Sequence, residues 1–331
     1  LPTPETWADL ARPEFVTWVG SADPRASGSV HMMYEIMLQA YGWEKGIDVI
    51  TRMGANVRSF PDSSSLVPKD VTGGELACGL AIDIYAWAQI DEAGADKIGY
   101  VMPEGQTVIN ADSIAILRGA PHREAAERFV EFVLSEDGQA LLMLPPGAPG
   151  GPAEFQLARM CILPALYDTL SAEGVVKTNP FEQTSSLAYD SVKGSLRYDL
   201  VNDLVGALII DTHDDLLRAW EAIRRGGMRE EALAKLTEPP VTEEEALELA
   251  RWKWDDDEAR NVERSRWRRL AEAKYEEAYR LSGGAGPDRL RAVGRVVRLA
   301  VPLAAALGCA LLLCDLVVRG LRGLLRRRSR A

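Results

Sequence analysis

With 331 residues, 47% of them hydrophobic and 26% charged, the chain carries enough apolar side chain for one or two packed domains and is not a disordered protein. Its formal charge of −11 is unevenly divided: from Arg289 onward ten arginines face one acid, whereas the preceding part holds 28 basic against 48 acidic residues, close to −20. So acidic a body argues against nucleic acid as a partner, because neutralising phosphates takes clustered Lys and Arg. Four scattered cysteines and three distant histidines, His31, His122 and His213, match no disulfide framework and no zinc spacing, so no metal and no cofactor is expected.

In chain order, a short helix over 7–10 leads into a buried strand over 15–20. The run ADPRASGS at 22–29 follows, and then an apolar stripe of Val30, Met33, Tyr34, Met37, Leu38 and Tyr41 at helical spacing. Ser27, Gly28 and Ser29 therefore stand where that helix opens. Free N–H groups, the positive dipole end and two hydroxyls make a pocket for an anionic group, or else a plain N-cap and turn. Residues 47–53 read as a short helix or connection, and 56–60 as a strand. Ser63, Ser64 and Ser65 precede a second helical run through Leu66, Val67 and Val71, so two Ser-rich starts face one cleft or form a capped polar loop. The apolar run 79–82 reads as a strand covered on both faces, with Asp83 and Tyr85 at its end.

A helix over 86–93, strands over 97–102 and 112–117, and an amphipathic helix over 123–134 come next. Strand and helix alternating at this density imply an α/β fold with helices on both faces of the sheet. Past the loop LPPGAPGGP at 144–152 the chain turns helical: 155–166, 187–197, 199–210 and 214–224. Thr242 with Glu245 makes a capping box for a helix to about 254, and Asp255, Asp256 and Asp257 break or re-cap it before a charged helix to 281. These two helices read as a solvated pair along the body. The glycine-rich stretch 282–287 reads as a linker, and 299–318 holds twenty residues with one charge, Asp315, enough to span roughly 30 Å of hydrocarbon. The arginines at 319–331 place that end in the cytoplasm and the body outside it.

The motifs at 22–29, ELACGLAID at 75–83, GYVMPEG at 99–105 and the segment 120–139 together resemble the extracytoplasmic solute-binding proteins of ABC importers, in the branch that includes ferric-iron, thiamine, polyamine and phosphonate binders. The resemblance implies a periplasmic-binding-protein-like two-lobe fold, of which this chain holds the second lobe (1–110) and the returning part of the first with a helical extension (111–225). A charged helical segment (226–281), a linker (282–298), a transmembrane helix (299–318) and a basic tail (319–331) complete the expected layout. It also implies that the opening of the first lobe precedes Leu1, leaving apolar positions near Ile114 and Ile116 uncovered. Ferric binders of that family place adjacent tyrosines before a Trp near position 85; here the stretch is Tyr85-Ala86-Trp87, one tyrosine short. Asp83 and Tyr85 are read instead as holding an ammonium or hydroxyl group, or as a strand-end cap and a half-buried aromatic.

The expected function is capture of a small solute or ion, anionic or accompanied by an anion, and its delivery to an ABC permease from a membrane-anchored position. A membrane-tethered sensor or scaffold that reuses a binding lobe is the alternative. An enzyme is not expected, since Ser27 lacks the G-x-S-x-G frame of a nucleophile elbow.

Overall fold

The computed structural model describes residues 1–176, 178–182 and 187–284. Leu1–Ser282 form one compact unit. The expected transmembrane helix, the basic tail and the linker beyond residue 284 lie outside the described residues. None of the described helices is long and apolar enough to cross a membrane.

The expected α/β layering is corrected to a mostly helical chain around a very small sheet. Two parallel strands, β1 (Val19–Gly20) and β2 (Cys78–Gly79), pair in register, and Val57 adds a single parallel bridge to Val19. A strand was expected to begin near 15, but Pro13–Phe15 forms a 3-10 turn and Thr17 takes a positive φ of 64°. Segments 97–102 and 112–117 have no strand partner among the described residues, so their apolar side chains gain no second layer: Leu117 is 79% exposed, and Ile114 and Val101 are exposed too. A parallel strand is stable only between neighbours that satisfy its N–H and C=O groups, and here those neighbours are missing.

The helices follow the sequence more closely. Between Trp7–Ala11, a 3-10 turn closed by a Thr6–Asp9 capping box, and the first long helix lies the sheet's opening strand. α1 (Gly28–Tyr41) buries its whole predicted stripe, with Tyr41 half-buried. α2 is Trp43–Asn56, longer than the short element expected, because Trp43, Ile47, Ile50 and Met53 repeat at helical spacing and are all buried. α3 (Leu66–Thr72) lies directly on the sheet: a Cβ on Gly79 would stand 2.3 Å from Val67 Cγ1, so a glycine is needed there. α4 is Asp83–Ala93 and α5 Arg123–Leu134, the latter with the expected bounds. No residue of α5 is fully buried, and Phe129 and Phe132 on it are exposed.

α6 (Glu136–Met143) and α7 (Pro164–Leu170) enclose a small satellite core of Met143, Cys161 and Tyr167. A helix over 155–166 does not form; the chain there is irregular until Pro164, a residue suited to a first helical turn. α8 is Ser191–Leu196, and α9 (Tyr198–Val205) runs into a π-turn, Gly206–Ile210. α10 (His213–Arg225), α11 (Glu230–Thr237), α12 (Glu243–Trp252) and α13 (Asp257–Leu281) follow. Thr242 and Glu245 form the expected capping box, and the Asp256 carboxylate accepts from the N–H groups of Glu258 and Ala259 to start α13.

α12 and α13 are not merely solvated. Trp267, Ala271, Tyr275 and Ala278 on α13 are completely or almost completely buried in the core that also holds Trp43 of α2 and Trp220 of α10. Two of those indoles spend their N–H on backbone or amide groups: Trp43 donates to the Val241 carbonyl at 2.9 Å, and Trp220 to Asn56 Oδ1 at 2.8 Å. α1 has a second buried face, where Glu35 meets Arg197 with both side chains at 0% exposure. Arg197 also donates to Glu243 at 2.7 Å, joining α1, the start of α9 and α12.

Two outcomes follow from this packing. Gly79→Ala should destabilise the unit by about 1–3 kcal/mol, since Val67 is closer than a real Cβ tolerates and the Gly20 backbone is a tight contact; urea unfolding that leaves the midpoint unchanged would contradict the close approach. Lys274 is 6% exposed and donates to the Glu238 carbonyl at 2.7 Å. Burial pulls its pKa down to about 7 from 10.5; Glu238 opposes the shift and Lys235 adds to it. Between those two values the unfolded chain binds the extra proton, so stability rises as pH goes from about 7 to 10.5, and the penalty is complete below 7. Lys274→Met should therefore raise the thermal midpoint most near pH 6, with the gain shrinking toward pH 10; equal gains at both pH values would contradict it.

Candidate functional site

The loop between β1 and α1 is shaped by Asp23. Its carbonyl accepts from Ala26 and Ser27 N–H, both at 3.0 Å, and its carboxylate accepts from the Arg25 N–H at 2.9 Å and from the Arg25 guanidinium. Those bonds tighten the chain just ahead of Ser27, which enters the helix in an extended conformation. Ser27 O accepts the first helical bond, from His31 N–H, at 3.0 Å. The N–H groups of Gly28, Ser29 and Val30 thus precede the helical ladder. The expected side-chain N-cap by Ser27 is absent, and neither Ser27 nor Ser29 spends its hydroxyl on another described residue. Gly28 is exposed, and a side chain on it would meet the Tyr198 hydroxyl at 3.3 Å.

The second Ser-rich loop lies next to the first, through an Asp23 N–H to Pro61 carbonyl bond of 3.1 Å. Its chemistry differs from the expectation. The hydroxyls of Ser63 and Ser65 bond to each other at 2.9 Å, Ser64 is buried, and Ser65 has helical backbone angles and does not cap. α3 is only seven residues long, so few aligned peptides contribute to its dipole. A small cavity of about 180 Å³ beside it is lined by Gly20, Ser21, Arg58, Ser59 and Asp70 among others.

Asp83 belongs to a different polar group. It opens α4, and its carboxyl is raised above the usual range chiefly by burial; the Ile84 N–H and Arg159 oppose the shift, and Asp112 adds to it. Burial first, and the Asp83 charge among the further causes, lift the phenols of Tyr100 and Tyr167, the latter to about 12. Tyr85 is half-buried on the same helix. The contacts of Asp83 share no residue with those of Ser27 and Gly28. A larger, mainly apolar cavity of about 700 Å³ lies among the N-terminal segment, β2, α4 and 97–103, with Trp7, Trp18 and Leu80 in its wall. None of the Ser-rich residues lines it. Among the described residues no group of three His, Cys, Asp or Glu is placed to hold a metal ion, and Cys78 and Cys161 are free thiols.

Four residues beside the first loop escape sequence reasoning. His31 is fully buried, with Nδ1 2.7 Å from Asn202 Oδ1, its ring centroid 3.7 Å from that of Tyr198, and Nε2 without a partner. Burial holds its imidazole below the usual pKa, against the Asn202 hydrogen bond. Asp211 accepts from Arg25 Nη1 at 3.0 Å. Arg25 itself stood in the ADPRASGS run, where a cation two residues ahead of the Ser27 N-cap position was a usable signal. Tyr198, Asn202 and Asp211 had none, since the contacts join segments 171 and 186 residues apart.

No solved structure matches the chain. Over 142 residues it is 25% identical to the phosphoglycerate transport regulatory protein PgtC of Salmonella typhimurium, covering 43% of this chain and 35% of that protein, and the PgtC of Salmonella typhi gives the same figures. An uncharacterized protein of Haemophilus influenzae is 27% identical over 138 residues, 42% of this chain and 39% of that protein. The chain thus spans well under half the length of these relatives. The match ends where the described structure turns into its second helical part: residues 2–143 fit the family model of the bacterial extracellular solute-binding proteins.

Proposed function

We propose that the chain binds a small solute bearing an anionic group outside the cytoplasm and presents it to an ABC permease, with the anion held at the start of α1 by Ser27, Gly28 and Ser29. The observation that supports this most is that the segment similar to solute-binding proteins contains a fourteen-residue helix whose first N–H groups and two serine hydroxyls have no acceptor among the described residues. A phosphate, phosphonate or carboxylate supplies the missing acceptors, and the dipole of a helix this long favours its charge. Ser63, Ser64 and Ser65 flank the same loop, whereas Asp83 and Tyr85 lie in a separate polar group on α4 and make no part of the anion contacts. Binding and release need no bond-making step, so no catalytic residue is assigned. Phosphoglycerate enters as a probe because a relative is named for its transport.

The chain's C-terminal apolar segment, 299–318, is proposed to cross the membrane once, with the arginines of 319–331 in the cytoplasm. A regulatory rather than transporting role is the second reading, favoured by the name of PgtC, a transport regulatory protein, and by the helices past residue 143 that the family model does not cover.

Replacing Ser27 and Ser29 together by Ala should weaken binding of phosphoglycerate or inorganic phosphate by about 1–3 kcal/mol in calorimetry, since hydrogen bonds to an ionised group are lost. Unchanged affinity in the double variant refutes the site. For the anchor, a Ser329→Cys variant in a background without native cysteines should resist a membrane-impermeant thiol reagent in whole cells; ready labelling would reject the orientation.

A further inference from the structure

Two residues ahead of Ser27, the Arg25 guanidinium is already engaged. Arg25 Nε donates to Asp23 Oδ1 at 3.0 Å and Nη2 to Oδ2 at 2.7 Å, while Nη1 donates to Asp211 Oδ1 at 3.0 Å. The Asp23 bonds are local and shape the loop. Asp211 is different in origin: it follows the π-turn Gly206–Ile210, far outside the segment that fits the solute-binding family. That turn approaches so closely that a Cβ on Gly206 would stand 2.7 Å from Arg25 Nη1, so any larger residue would make the guanidinium shift. π-turns within helices recur at functional positions. The same helical part puts the Tyr198 hydroxyl against Gly28, and Tyr198 and Asn202 against His31, whose buried Nε2 stays unpartnered.

We propose that this helical part regulates the anion site, with the Arg25–Asp211 ion pair as a latch that an incoming anion must displace to gain the Arg25 charge. The inference rests on the reading of Ser27–Ser29 as an anion site. Arg25 and Asp211 are 26% and 32% exposed, and ion pairs of that exposure are weak and screened by salt. A phosphate group offers Nη1 a doubly charged acceptor in exchange. Coupling is reciprocal: if the latch opposes the anion, the anion loosens the hold of the π-turn on the loop.

The test uses the full chain with inorganic phosphate and phosphoglycerate as probes. Asp211→Asn should tighten binding about three- to tenfold and, with no anion present, speed hydrogen exchange over 22–27. In an Arg25→Met background the same substitution should change affinity by less than about twofold, because no latch remains to release. Equal gains with and without Arg25 would show a bulk charge effect and overturn the latch, as would unchanged affinity and unchanged exchange in Asp211→Asn. If the Ser27→Ala, Ser29→Ala variant loses affinity while Asp211→Asn gains none, the latch falls and the anion site stands. If neither the native chain nor Asp211→Asn binds either probe, both fall.

Discussion

Glu35 and Arg197 meet with no exposure to water, and everything packed on the second face of α1 depends on that pair. A carboxylate removed from solvent costs far more than it returns unless a partner of fitting geometry is there, and Arg197 supplies it through Nε and Nη2 at about 3 Å, with Trp43 beneath the guanidinium. The remaining nitrogen, Nη1, reaches Glu243 at the start of α12. One charged side chain therefore ties the segment that fits the solute-binding family to two helices beyond it. Asp203 of α9, almost buried and paired with Arg260 and Arg264 of α13, ties two of the later helices to each other. The later helices are thus a structural wall of the compact unit rather than an appendage.

This explains which features were legible in the residues alone. α1 and α5 were, because their apolar spacing is a local property, and α13 was, because Asp256 starts it with two N–H bonds that need no distant partner. The strands were not. Apolar runs such as 97–102 satisfy the pattern of a buried strand, but a strand exists only when another lies beside it, and the described partners stop after two residues. The charged face of α13 concealed Trp267 and Tyr275, whose burial depends on α10 and α11 coming to meet it.

The same division runs through the site. Ser27, Gly28 and Ser29 were placed correctly at a helix start, a local property. At 63–65 the side-chain cap of the alternative reading does not form, because the hydroxyls of Ser63 and Ser65 bond to each other and Ser64 is buried, a pairing that the residue types do not display. The surroundings of His31 come from α9, and only the folded chain brings them together.

The two-residue sheet has a consequence for how the chain is made. With so little strand pairing, the first half of the protein owes its order to contacts such as Trp220 with Asn56 and Trp43 with Val241, whose partners lie 164 and 198 residues apart. Those partners leave the ribosome late. At typical synthesis rates the stretch from 144 to 282 takes on the order of ten seconds to appear. Throughout that interval the apolar faces of α1 and α2 are uncovered, and they are the surfaces that a holdase would grip.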